Sequence, residues 1–123
     1  MKTISAKRLE AAGACAGQVQ LFRETFGDKL VRINAENWTK AEEVGLNRFW
    51  LERFLKKAAQ AEYIRADAEA LKEFDRVCGA ARAEFYQAWD MAQGKADYDR
   101  VCGAALAEYE RVRAAALFAV FTK

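Results

Sequence analysis

Histidine is missing from all 123 residues. Without it, neither a Ser-His-Asp nor a Cys-His nucleophile can be assembled, and the commonest transition-metal ligand is gone. Serine occurs once, at Ser5. The three cysteines, Cys15, Cys78 and Cys102, are odd in number, widely spaced and form no C-x-x-C pair. That argues against a secreted disulfide framework and against a zinc site within one chain. The chain has no Walker loop and no G-x-G-x-x-G fingerprint. Adjacent carboxylates such as Glu42 and Glu43 point in different directions on a helix and suit no acid–base task. The expectation is a protein that is no enzyme, with no catalytic residue, no metal site and no cofactor.

Proline is absent as well, which removes the commonest helix breaker, and alanine crowds the second half of the chain. No apolar run reaches 18 residues, and the opening "MKTISAKRLEAAGACAG" holds no apolar stretch of signal-peptide length. A cytosolic setting without membrane contact is expected. Twenty Lys and Arg face 18 Asp and Glu, a net charge of +2. That balance makes neither nucleic acid nor an anionic membrane the default partner, since phosphate binding needs concentrated positive charge.

What the chain does contain is a repeat. The segment "DRVCGAA" stands at 75–81 and again at 99–105, inside a longer pattern of eleven-residue units that starts at Ala61. The third place of each unit is aromatic: Tyr63, Phe74, Phe85, Tyr98, Tyr109. The sixth is Ala66, Val77, Ala88, Val101, Val112, and the tenth Ala70, Ala81, Ala92, Ala105, Ala116. Steps of three, four and four place these residues on one face of an α-helix, and eleven residues fill three turns at about 3.67 per turn. The second place is acidic throughout and the fifth is arginine except at Gln87, which reads as a solvated ladder of i, i+3 ion pairs.

The rhythm slips once, at the inserted Gly94-Lys95. Two extra residues turn a continuous helical stripe by about 200°. A chain reversal at Gly94, with Asp97 or a neighbour capping the next helix, instead lays the two blocks together as an antiparallel hairpin. Upstream, Gly45 reads as a stop and Asn47 as a cap, with Phe49, Trp50, Phe54 and Leu55 as an apolar stripe. A helix from Arg48 to Gln93 follows, about 70 Å long.

Residues 1–46 read as a helical head, and 47–123 as the hairpin, within one continuous folding unit. Ser5 caps "AKRLEAA" and Gly13 ends it. "CAGQVQLFRETFG" puts Cys15, Val19, Phe22 and Phe26 on one helical face up to Gly27. "DKLVRI" is either extended or a loop over the core. Asn34 caps a third helix, with Glu36 in its first turn and Gly45 at its stop. Trp38 and Trp50 are the expected anchors between the head and the base of the hairpin. The expected fold is all-α: a small helical head followed by a long antiparallel helical hairpin with eleven-residue repeats.

"GACAGQVQLFRETFGD" and "VRINAENWTKAEEVGLNRFWLERFL" carry a resemblance. They are similar to the N-terminal segment of small uncharacterised proteins encoded by bacteriophages and prophages, over roughly residues 10–55. The matching positions are Cys15, Gln18, Phe22, Phe26, Gly27, Gly45, Leu46 and Trp50. The resemblance brings no activity with it. It implies the cytosol of a bacterial host and a bacterial protein as target.

Three features are weighed as sites. Cys78 and Cys102 read as small packing residues at a tight helix crossing, or else as thiols poised for a disulfide between the paired helices. Arg48, Arg53, Lys56 and Lys57, with Lys7 and Arg8, form a possible basic patch that Glu52 interrupts. Leu117, Phe118, Val120 and Phe121 cover more than one face of the last turns, so they either dock on the head or meet a partner. Together with the phage resemblance these lead to an expected function of non-enzymatic protein binding by a phage-type accessory protein. One form is occlusion of a host defence complex, as anti-CRISPR proteins do. The alternatives are a nucleic-acid-binding or regulatory protein, or a structural oligomer in phage assembly. Self-association through alanine-rich faces is expected in either case.

Overall fold

The computed structural model describes residues 3–122. It is 79% helical, with two long helices packed against each other. The order is β1 (Thr3–Ile4), α1 (Ala6–Ala11), α2 (Ala16–Phe26), β2 (Val31–Arg32), α3 (Ala35–Glu43), a 3-10 helix (Arg48–Phe54), α4 (Lys57–Tyr86) and α5 (Met91–Thr122). Two compact units result. The first runs to Ala61 and takes in the chain again from Leu117; the second is Glu62–Ala116. The unit containing the head therefore reaches past residue 46 and includes the end of α5.

In the first unit the expected caps form. Ser5 Oγ accepts from the Arg8 amide at 3.3 Å, and Asn34 Oδ1 accepts from the Asn37 amide at 2.9 Å. Gly13, Gly27 and Gly45 stand at the ends of α1, α2 and α3 with φ of 91°, 83° and 81°, the left-handed region where a side chain is strained. "DKLVRI" is extended at its centre: Val31 and Arg32 pair antiparallel with Ile4 and Thr3. This short ladder qualifies the all-α expectation. Ile4, Leu9, Val19, Phe22, Val31, Ile33 and Leu51 are buried, and so are Leu117 and Phe121 from the end of α5. Cys15 departs from its expected place on the buried face of α2. It is the exposed N-cap residue of that helix.

The helix expected from Arg48 to Gln93 is interrupted twice. Asn47 does cap, accepting from the Phe49 amide at 3.1 Å, but it caps a 3-10 segment. Phe49, Trp50 and Leu51 are consecutive apolar residues, and three in a row cannot share one face of an α-helix. The tighter winding buries Leu51, and Leu55 (φ −74°, ψ 135°) leaves in extended conformation before α4 begins.

The second break is the hairpin turn itself. It falls at residues 87–90, and Gly94 lies inside the first turn of α5. Asp90 is the cap, its carboxylate accepting from the amides of Ala92 at 3.0 Å and Gln93 at 3.2 Å. Asp97, expected as one possible cap, instead accepts from Gln93 Nε2 at 3.1 Å. Gly94 serves the turn through its lack of a side chain: a Cβ there would stand 2.6 Å from Ala88 Cβ. The glycine of the inserted pair is needed for close approach, and its backbone stays outside the left-handed region.

Within Glu62–Ala116 the helices run antiparallel. Phe74 meets Tyr109 and Phe85 meets Tyr98, both with ring centroids 5.9 Å apart. Aromatic pairs of this kind add about 0.5–1.5 kcal/mol beyond their area burial. Nearer the open end lies a polar inlay. The Tyr109 hydroxyl donates to Asp67 at 2.5 Å, Arg113 Nε donates to the Tyr63 hydroxyl at 2.7 Å, and Arg113 stands 3.4 Å from Asp67. Outside, Glu73–Arg76, Asp97–Arg100 and Glu108–Arg111 form exposed i, i+3 pairs, worth little individually. In the two closest pairs, hydrogen bonds donated by Arg76 and Arg111 lower the pKa of Glu73 and Glu108.

Gly79 and Gly103, which follow the two repeated cysteines, face open space. Gly79→Ala and Gly103→Ala are therefore expected to stabilise by about 0.5–1 kcal/mol each, through helix propensity alone. Gly94→Ala is expected to lower stability, because the Ala88 contact outweighs that gain. Urea midpoints of the three variants test the contrast. Asp67→Ala removes a charged acceptor from a half-buried cluster and should cost about 1–2 kcal/mol in the same measurement.

Candidate functional site

The least explained apolar surface is at the hairpin tip. Trp89 is fully exposed at 102% relative accessibility, Tyr86 at 77% and Met91 at 62%. All three lie within six residues, spanning the end of α4, the turn and the first residue of α5. Elsewhere on the second unit Ile64, Leu71 and Leu106 are partly exposed, as are Leu30 and Val44 in the first. None of them is an aromatic side chain, and none is exposed to the extent of Trp89.

The tip is built on a fixed base. Half-buried Phe85 packs on Tyr98 across the hairpin and on Tyr86 beside it, centroids 5.8 Å apart in the second case. Asp90 holds the start of α5 through two amide hydrogen bonds, and Gly94 admits Ala88 beneath the turn. The neighbouring Tyr98 raises the Arg82 guanidinium above its ordinary value. Beside the tip is a cleft of about 240 Å³, with Phe85, Ala88, Gly94 and Tyr98 among its walls and Glu84, Asp97 and Arg100 around them. That is below the size of a typical small-molecule pocket. Its position makes it a notch next to an aromatic knob.

The residues singled out from sequence fall elsewhere. Leu117 is wholly buried and Phe121 is 4% exposed, while Phe118 packs on Trp38 with centroids 5.1 Å apart. Val120 is half-buried. These residues belong to the core of the first unit, so Leu117 and Phe121 offer no surface to a partner. Of the basic patch, Arg48 is largely covered, while Arg53, Lys56 and Lys57 stay exposed. Arg48 lies over the Trp38 ring at 4.9 Å and pairs with Glu42 at 3.6 Å. Arg53 lies over Trp50 at 4.4 Å and donates to the Ala12 carbonyl at 3.1 Å. Lys56 and Lys57 are exposed where the 3-10 helix gives way to α4.

Gln18 has a visible task. Its Oε1 accepts from the Asn47 amide at 2.8 Å, fixing α2 to the start of the 3-10 helix. The Phe22 and Phe26 rings pack tilted against each other, centroids 5.1 Å apart. These residues line an apolar cavity of about 60 Å³ with Ile33, Trp38 and Leu51, a packing void far below ligand size. Among the described residues no cluster of three or more His, Cys, Asp or Glu is arranged to hold a metal ion, and no helix is long and apolar enough to cross a membrane.

Sequence reasoning passed over Trp89. Its signal was available: at the seventh place the other units hold Asp67, Cys78, Cys102 and Arg113, and the arginine ladder lapses at Gln87 just before it. A large aromatic in that gap has no small partner to meet. No protein-family model matches the chain, and searches of curated proteins and of solved structures also give no match.

Because Phe121 is core, Phe121→Ser is expected to destabilise the fold by about 3 kcal/mol. Trp89→Ser should leave the thermal midpoint within about 2 °C of the original. Circular dichroism melts of the two variants separate a structural aromatic from an exposed one.

Proposed function

We propose that this is a non-enzymatic protein-binding protein that presents its hairpin tip to an apolar pocket on a bacterial protein. The observation that carries the reading is a tryptophan wholly in water, flanked by an exposed tyrosine and methionine at a turn that Asp90 caps. Trp, Tyr and Met are enriched at protein interfaces, and a buried Trp or Tyr dominates many of them. Burying the roughly 200 Å² of one such aromatic releases about 5 kcal/mol before the costs of association. Within the second unit the ring pairs and the polar inlay brace the two helices below the tip, which supports the same reading.

The charge balance favours protein over nucleic acid as partner. Glu62–Ala116 carries eleven acidic residues against eight basic ones, and a phosphate backbone would be repelled. Arg48 and Arg53 are held in the first unit by aromatic and carbonyl contacts. The narrower form, occlusion of a host defence complex by a phage-type accessory protein, rests on the resemblance of residues 10–55 and is the form to test first. Self-association is part of the proposal only where it leaves the tip free.

The test begins with capture from bacterial lysate and identification of the retained protein. Its affinity for the original chain and for Trp89→Ser and Tyr86→Ser is then measured with purified components. The expected result is at least tenfold weaker binding for Trp89→Ser, with little change between 50 mM and 500 mM salt. Equal affinity of original and variants, or retention on DNA that vanishes with salt, would overturn the reading.

A further inference from the structure

The duplicated "DRVCGAA" acquires a meaning in the folded hairpin. Cys78 and Cys102 hold the same place in their respective units, and the antiparallel arrangement brings them together. Phe74 and Tyr109 pair on one side of them along the helices, Phe85 and Tyr98 on the other. Between these ring pairs the two thiols lie near enough to act on each other. Both cysteines are half-buried, within reach of a small reagent. One turn beyond each stands an alanine, Ala81 or Ala105, Ala81 being buried. With so little bulk at the crossing, the helices can approach to the Cα separation of under about 7 Å that a disulfide needs.

We propose that Cys78 and Cys102 form a dithiol modification site, oxidised by a low-molecular-weight disulfide to an intramolecular bond that ties α4 to α5. The thiolate of one cysteine attacks the small disulfide, whose S–S bond breaks and releases one small thiol. A mixed disulfide remains on the protein. The second cysteine gives its proton to solvent and attacks the protein-bound sulfur, releasing the second small thiol. Two protein thiols are thereby oxidised, and one small disulfide is reduced to two thiols.

The contact with Cys102, together with burial, pushes the Cys78 thiol up to about 11. Cys78 therefore stays protonated near neutral pH and reacts slowly. Cys15 is exposed and lies in the other compact unit, and serves as an internal reference. The bond would close the 78–102 segment into a loop and restrict the unfolded chain.

The full chain is incubated with oxidised glutathione above about pH 8, quenched with iodoacetamide and mapped by mass spectrometry after proteolysis. The expected product links the Cys78 and Cys102 peptides within one chain, while Cys15 carries a glutathione. Its melting temperature rises by several degrees and returns when dithiothreitol is added. In Cys78→Ser, shown folded by circular dichroism, Cys102 carries glutathione and the rise is lost. Recovery of Cys78 and Cys102 as alkylated thiols or separate adducts while Cys15 reacts would overturn the proposal. So would a cross-link found only between chains.

Discussion

The second unit depends on the meeting of Phe74 with Tyr109 and of Phe85 with Tyr98. These contacts fix the register of α4 against α5, and the register decides every other cross-hairpin encounter. It sets Asp67 beside Arg113 and Tyr109, where opposite charges satisfy each other in a half-buried site. It sets Cys78 opposite Cys102, where two small side chains fit. A slip by one turn would part Asp67 from Arg113, leaving each charge partly desolvated without its counter-ion. The rings thus set the register, and the polar inlay penalises a departure from it.

The turn meets a different demand. Two helices can close only if the chain reverses within a few residues without orphaning the first amides of the second helix. Asp90 satisfies two of those amides, and Gly94 leaves room for Ala88 below them. Tyr86, Trp89 and Met91 are then left outside, because the four residues of the turn have no further layer to pack against. Their exposure is a geometric consequence of ending a two-helix hairpin.

Much of this was readable in advance, for identifiable reasons. Ser5 and Asn34 announce helix starts because their side chains bond only to nearby amides, and Gly13, Gly27 and Gly45 announce stops because the left-handed backbone favours glycine. The solvated ladder was readable because i, i+3 charge pairs are local. The misplaced features were non-local. Arg48 and Arg53 are basic in the sequence, and only folding lays them over Trp38 and Trp50. Phe121 looks like surplus apolar surface until the first unit takes in the end of α5. Gly94 marked the right neighbourhood for the wrong cause, since the clash with Ala88 exists only once the turn is made.

The sequence by itself determined that the second half is helical, that one face of it is aromatic and alanine-rich, and that the face must be covered. Those properties follow from the spacing of residues along one backbone. Tertiary structure alone decided where the reversal falls, which thiols and charges meet, and which aromatic remains in water. Each of these depends on residues distant along the chain competing for the same space, and such competition is settled only when the helices pack.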